Sequence, residues 1–390
     1  MISDIPSSSP VTKGQADPLR VMFTGDVHLG PAYKDERLFD DDIREACRKS
    51  NYVVVNVESP ITYGHPSKIP GCVLHSDPKS ANVLQAFGNN ILNLANNHVL
   101  DHGVAGLRDT LQFAKDRGWS CVGAGENFAD ASAPCLLEHH GITVGILSVC
   151  WLGVPFAGKS SPGVFGDSPE SHVRKQICDL RRRTRWVVVV YHGGEEFAHI
   201  PLPARRKKLL RYLSFGAHVV VAHHAHCVQR YERVGEKLVF YGLGNLVFDL
   251  DYHRNHAGTD ESVLLSLSFS KQSINYRPLF TRHDRNQRRV LKVPSNPNFS
   301  EITERSYAQE WGAEASRRLK SYWNTGHVNL PRNNWKQKSF YYRKKVRRVA
   351  RLLYTCVFDK YGLTRPYIIG GVMHHLRNLL HPQNCRGTSS

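Results

Sequence analysis

Val21-Met22-Phe23-Thr24-Gly25-Asp26-Val27-His28 is a short apolar run that ends in side chains able to hold a metal ion. Four further runs do the same. Residues 52–57 lead into Glu58, 91–95 into Asn96-Asn97-His98, 186–191 into His192-Gly193-Gly194, and 219–222 into His223-His224-Ala225-His226. Runs of this length, separated by helix-length segments, read as buried strands of a parallel sheet. Ligands in such sheets bind outside the carboxyl ends of the strands, which is where all five blocks fall. One site is therefore expected to collect them.

Side chains two apart on an extended segment point the same way, so Asp26 pairs with His28 and His224 with His226. The same alternation sets His223 opposite to His224 and leaves it out of the expected site. Carboxylate oxygen, amide oxygen and imidazole nitrogen together suit a borderline to hard divalent ion such as Mn, Fe or Zn. Taken singly, each block has an ordinary reading: a strand-terminal turn for Asp26, a loop carboxylate for Glu58, a turn pair for Asn96 and Asn97, a surface cluster for the histidines. Their recurrence at five strand ends is what points to a metal site.

At 390 residues, with 41% hydrophobic and 22% charged residues, the composition is that of a soluble globular protein of two or three domains. Residues 1–18 are rich in Ser and Pro without an apolar core, and read as a disordered leader. No apolar run reaches the roughly 18 residues of a spanning helix, so the cytoplasm is the expected compartment. Nine cysteines without a C-x-x-C pair argue against a disulfide framework and a zinc ribbon. Cys121, Cys150 and Cys227 are expected as small buried apolar side chains.

The formal net charge of +18 is concentrated in the tail, where residues 301–390 hold 17 Lys and Arg against 5 Asp and Glu. Its densest stretch, 340–354, spaces Phe340, Val346, Val349 and Leu353 at helical intervals among cationic residues. Such a helix docks on an acidic membrane surface or a polyanion, or packs by its apolar stripe onto the main domain. Without a nucleic-acid-binding motif, charge alone does not make DNA or RNA the expected partner.

Between these ends, helices are expected over 38–49, 81–87, 104–117, 173–183 and 201–215. Residues 151–171, rich in Gly, Pro and Ser, read as a long loop over the site. Strands over 237–248 and 262–269 finish the domain. The expected division is a domain over 19–280, a linker over 281–300 and a basic helical region over 301–390.

The order of six motifs, Gly25-Asp26-Val27-His28-Leu29-Gly30, Asn56-Val57-Glu58-Ser59-Pro60, Asn96-Asn97-His98-Val99-Leu100-Asp101, His192-Gly193-Gly194-Glu195-Glu196, the His223 block and Gly242-Leu243-Gly244-Asn245, resembles the CapA family. These are the poly-gamma-glutamate capsule biosynthesis proteins of the calcineurin-like metallophosphoesterase superfamily. The resemblance covers about residues 20 to 270. It implies an α/β fold, a four-layer metallophosphoesterase-like sandwich of two mixed β-sheets flanked by helices. Family members usually carry Met where His28 stands, Gly at Ala222 and Pro at Ala225.

Carried over by the resemblance, Asp26, His28 and His226 would hold one divalent ion and Asn97, His192 and His224 a second, with Glu58 as the bridge in place of the usual Asp. His98 would protonate the leaving oxygen and Asp101 would orient it. The implied activity is metal-dependent hydrolysis of a phosphoester or amide in capsular polymer synthesis. The alternatives are a non-catalytic metal-binding scaffold of a capsule synthase complex and, ranked below it, a nucleic-acid phosphoesterase that uses the basic tail for the backbone. An anionic polymer or phosphoester is the expected substrate, and the basic tail the expected contact with a synthase complex or the inner membrane face.

Overall fold

The computed structural model describes residues 17–64, 73–151 and 154–324. The basic stretch 340–354 and nearly all of the leader lie outside the described residues. The chain divides into two compact units, Met1–Trp311 and Gly312–Ser390, and the first carries the sheets.

Its first third alternates strand and helix: β1 (Leu19–Val27), α1 (Asp41–Arg48), β2 (Tyr52–Val57), α2 (Pro78–Ala81), β3 (Asn90–Asn93), α3 (Gly103–Lys115) and β4 (Ser120–Val122). Next come β5 (Ala124–Gly125), α4 (Phe128–Ser132), β6 (Cys135–His139), β7 (Ile142–Cys150), β8 (Gly163–Val164), α5 (Glu170–Arg183), β9 (Trp186–His192), α6 (Pro203–Phe215) and β10 (Val219–His223). The remainder is β11 (Tyr231–Val234), β12 (Lys237–Phe240), β13 (Asn245–Val247), α7 (Asp251–Arg254), β14 (Glu261–Phe269), β15 (Ile274–Asp284), β16 (Arg289–Val293) and α8 (Glu304–Asn324).

Two large mixed sheets result, one in the order β16-β15-β14-β1-β2-β3-β4 with β13 also on β1, the other β11-β12-β10-β9-β7-β6. Alternation along each strand builds the layers. Leu19, Val21, Phe23 and Val54 of the first sheet meet Val188, Val190, Val219 and Val221 of the second in one apolar core. The opposite face of the first sheet, with Met22, Val53 and Val55, packs on Ile43 and Cys47 of α1 and Leu107 and Phe113 of α3. On the second sheet, α5 and α6 bury Val173, Ile177 and Leu180, and Leu209, Tyr212 and Leu213, at helical spacing. This is the four-layer sandwich of two mixed sheets flanked by helices that the resemblance implies.

The stretch 281–300, expected as a linker, instead continues the first sheet. β14 is paired with β15 along its full length, and β16 closes the edge from Phe280↔Val293 to Asp284↔Arg289. Only Val290 of β16 is buried. Basic residues on an edge strand face solvent and block further pairing, so they hide the apolar alternation that marks inner strands. Pro278 sits opposite Leu265 in the part of β15 that β16 does not reach, where its missing N–H costs no ladder bond on that side.

The Gly-, Pro- and Ser-rich stretch after β7 does not run free. Cys150 N–H donates to the Phe165 carbonyl at 2.9 Å and Asp167 N–H to the Cys150 carbonyl at 3.0 Å, tying the loop's return to β7. Cys47, Cys121, Cys135, Cys150, Cys178 and Cys227 are all free thiols, and burial pushes Cys47 and Cys121 up to about 12. No described helix is long and apolar enough to cross a membrane.

Candidate metal centre

The carboxyl ends of β1 and β2 in one sheet and of β9 and β10 in the other face each other across the inter-sheet core. β2 keeps a plain alternation, so Asn56 follows Val54 onto the inner face. β1 does not: its register against β2 shifts between Phe23 and Asp26. Such an irregularity re-aims a side chain. Asp26 is thereby buried among polar partners, accepting from Asn56 Nδ2 at 2.7 Å and lying 3.0 Å from His223 Nδ1 and 3.2 Å from His226 Nδ1. Asn93 Nδ2 in turn donates to Asn56 Oδ1 at 2.6 Å, so a row of amides running back into the sheet fixes the Asp26 carboxylate.

Glu58 lies just past the end of β2 and is fully buried, yet neither carboxylate oxygen has a hydrogen-bond partner among the described residues. Three imidazoles approach Oε1 without forming such a bond: His192 Nε2 at 3.3 Å, His226 Nε2 at 3.6 Å and His224 Nδ1 at 3.8 Å. A buried, unsatisfied carboxylate is costly unless a cation completes it. The donor atoms of Glu58, His224 and His226, and those of Asp26, Glu58 and His192, lie within 4.8 Å of one another. Asn97 joins from the turn after β3, its Oδ1 2.8 Å from His192 Nε2. This donor set fits a divalent ion, with Glu58 common to both triplets.

The imidazole side is reached by a backbone that leaves regular strand geometry. Val219, Val221 and His223 share the inner face of β10, which places His223 against Asp26. His224 and His226 then adopt left-handed conformations, φ 87° and 55°, which return both rings to the site. A positive φ at a residue other than glycine is a strained arrangement that functional sites retain. The expectation that His223 points away is thus corrected: alternation holds along β10 as far as His223 and is broken after it. Asn56, within the quoted Asn56-Val57-Glu58 block but not among the expected ligands, is the other omission. Its position two residues before Glu58, on the face of Val54, was the available signal.

Burial would raise the Asp26 carboxyl, but hydrogen bonds from His223 and His226 hold it well below the usual range. Burial keeps His192 well below the ordinary imidazole value and lowers His224 to about 4, leaving neutral rings with lone pairs for a cation. His226 runs the other way: burial opposes its charge, but Glu58 and Asp26 pull it up to about 10. The two buried carboxylates thus favour positive charge beside them, as a proton or as a metal ion.

His98 and Asp101 meet as expected, with Nδ1 2.7 Å from Asp101 Oδ2, and the Leu74 N–H donates to that same oxygen at 2.7 Å. Burial acts to lower the His98 pKa, but the Asp101 bond and the Glu58 and Asp101 charges outweigh it and raise it. Asn96 is structural, donating to the Val57 carbonyl at 2.7 Å and accepting from His98 N–H at 3.1 Å. His28 is set apart from both triplets. It follows the last residue of β1, about 7 Å of extended chain beyond Asp26. Its Nε2 donates to the His75 carbonyl at 3.1 Å and its ring leans on Phe248, centroids 5.5 Å apart.

With this geometry in place, the comparisons with known proteins become specific. The family model for the bacterial capsule synthesis protein PGA_cap matches residues 20–250, a span that contains every donor named above. The chain belongs to this family. Within the capsule synthesis family, it is 33% identical over 268 residues to the PGA biosynthesis protein CapA of Bacillus subtilis, covering 65% of this chain and 69% of that protein. It is 26% identical over 305 residues to the capsule biosynthesis protein CapA of Bacillus anthracis, covering 72% and 74%. A probable polyglutamine synthesis accessory protein of Mycobacterium tuberculosis is 27% identical over 212 residues, covering 51% of this chain and 56% of its own.

Proposed function

We propose that this chain is a metal-dependent hydrolase or processing factor in the synthesis of a capsular polymer of the poly-gamma-glutamate type, cleaving a phosphoester or an amide. The observation that carries the reading is Glu58, a buried carboxylate with two unsatisfied oxygens ringed by His192, His224 and His226. The name of the Bacillus subtilis relative supports the polymer, that of the Bacillus anthracis relative supports the capsule, and the donor chemistry supports the reaction class.

Asp26, Glu58, Asn97, His192, His224 and His226 would hold two divalent ions. When bound, the ions supply charge neutralisation and activation of water. The remaining work belongs to the chain. Asn93, Asn56 and His223 hold the Asp26 carboxylate in place. His98, 18% exposed at its side chain, is the group able to deliver a proton to a leaving oxygen or nitrogen. Asp101 fixes its Nδ1, so Nε2 is the atom presented for that transfer.

Elemental mass spectrometry of the purified full-length chain, paired with turnover of bis-p-nitrophenyl phosphate and of tri-gamma-glutamate in added Mn, tests this. Two ions per chain and turnover lost in Asp26→Ala and His224→Ala are expected. Unchanged turnover in both variants overturns the assigned site. Bound metal without turnover of any substrate would leave the scaffold reading in its place.

A further inference from the structure

One buried amide beside the metal centre is not among its candidate donors. Asn245 is 1% exposed, opens β13 and is the register partner of Asp26 on β1. The two strands meet closely because glycines line the contact: Asp26 N–H donates to the Gly244 carbonyl at 2.8 Å, and a side chain at Gly25 would run into that carbonyl. Gly244 itself turns with φ 74°, where a side chain would collide with the Glu261 carbonyl. The turn delivers Asn245 beside the Asp26 carboxylate.

The orientation of this amide is settled by what it touches. The Thr259 carbonyl can only accept, and it lies 2.9 Å from Asn245 Nδ2, so the amide nitrogen faces Thr259. Arg285 Nη2 donates to the same carbonyl at 2.7 Å and holds it in place. Oδ1, on the other side of the amide, lies 3.0 Å from His226 Nδ1. An amide oxygen cannot donate, so Nδ1 carries a hydrogen and Nε2 is the nitrogen left for a cation. Nε2 lies 3.6 Å from Glu58 Oε1, in the carboxylate common to both donor triplets. The other neighbours do not make this choice. Phe248 and His253 pack against the ring with centroids 4.9 and 4.4 Å away, contacts indifferent to which nitrogen bears the hydrogen. Asp26 Oδ2, 3.2 Å from Nδ1, can accept the same hydrogen, but a carboxylate that binds a metal ion spends its charge there. Asn245 is the neutral acceptor that leaves Asp26 to the ion.

We propose that Asn245 is a positioning residue of the metal centre: its carboxamide oxygen anchors the hydrogen on His226 Nδ1 and thereby commits Nε2 to the divalent ion. The assignment rests on the metal-dependent reading above. An acceptor behind a ligating imidazole fixes its tautomer and ring orientation. The need is acute at His226, whose φ of 55° lies outside regular strand geometry. Through Thr259 the anchor reaches Arg285, in the stretch expected as a linker, so the first sheet's far edge supports the centre.

Histidine-selective 15N labelling of the full-length chain reads the tautomer by NMR, with His226→Gln assigning the resonance. In zinc-loaded wild type, His226 should show a protonated Nδ1 and a zinc-bound Nε2. Asn245→Leu, of similar volume but without an acceptor, should lose that single pattern, and dye competition should show zinc held about ten- to a hundredfold more weakly. Asn245→Asp keeps an acceptor of the same reach, so it should retain the Nδ1 hydrogen and bind zinc more tightly than Asn245→Leu. All are compared below their thermal midpoints. With chelator in place of zinc, the Nδ1 hydrogen of wild type should exchange with solvent more slowly than that of Asn245→Leu, a difference that needs no ion. Slow exchange in a chain that takes up no zinc would sink the metal reading while upholding the Asn245–His226 contact. An unchanged tautomer, exchange rate and zinc affinity in Asn245→Leu overturns the proposal and leaves Asp26 as the anchor. Weaker zinc binding with tautomer and exchange unchanged overturns it as well, since Asn245 would then act by packing alone. A hydrogen on Nε2 in zinc-loaded wild type does so outright.

Discussion

β1, β2 and the turn after β3 contribute carboxylates and amides to the site, Asp26, Glu58, Asn56 and Asn97, whereas β9 and β10 contribute the imidazoles of His192, His223, His224 and His226. On the first side, polar groups are fixed by a hydrogen-bonded row, from Asn93 through Asn56 to Asp26. On the second, His192 and His223 end the regular strands β9 and β10, whereas the rings of His224 and His226 are placed by backbone left outside regular geometry. The carboxylate side supplies the negative charge that would draw a cation in, and His192 and His224 on the imidazole side supply neutral donors. Neither set suffices alone, because Glu58 lacks hydrogen bonds and His192 and His224 are uncharged at neutral pH.

The sharpest way to break this division is to remove charge from the carboxylate side without changing its shape. Glu58→Gln keeps the side-chain volume but replaces an acceptor-only carboxylate with an amide. Metal affinity should fall by at least about a hundredfold, since both triplets share this residue. Competition against a metal-binding dye reads it directly. Retention of both ions at wild-type affinity would show that the imidazole side alone holds them.

A smaller effect is expected across the divide, at His223. Its Nδ1 lies 3.0 Å from Asp26 Oδ1, so it orients an expected ligand from the opposite sheet. Loss of such a partner weakens metal binding by about ten- to a hundredfold. In His223→Ala the same dye competition should show this intermediate loss. A drop as large as that of Glu58→Gln would make His223 a ligand itself, and no drop would leave Asp26 held by Asn56 and His226 alone.

The same contrast explains what could be read without coordinates. Inner strands such as β2 and β9, apolar on both faces, declared themselves in the runs 52–57 and 186–191, and the order of their terminal motifs was enough for the fold and for the convergence of Asp26, Glu58, Asn97, His192, His224 and His226 at one place. β16 did not declare itself, because an edge strand shows charge on its exposed side and only Val290 is buried. His223 was lost for another reason. Alternation is a rule about extended backbone, and sequence alone does not announce that φ turns positive at His224 and again at His226. The burial of Arg205 under the Trp151 ring gave no signal either, since an arginine in Pro203-Ala204-Arg205-Arg206-Lys207-Lys208 reads as one member of a solvated charged face. Its burial depends on Trp151 and Tyr191, residues from distant parts of the chain.

His28 offers the finest test of where the carboxylate side ends. By sequence it pairs with Asp26, but its Nε2 is engaged by the His75 carbonyl at 3.1 Å and neither donor triplet includes it. Burial, only partly offset by that backbone bond, lowers its pKa to about 4, so it brings no charge at neutral pH. His28→Met removes the imidazole and keeps an apolar contact for Phe248. The metal content per chain is expected to be unchanged, with affinity altered by no more than about fivefold, the size of a lost neutral hydrogen bond. If one whole ion leaves with the imidazole, His28 must turn from His75 toward Asp26 when metal binds, and the boundary of the site moves outward by two residues.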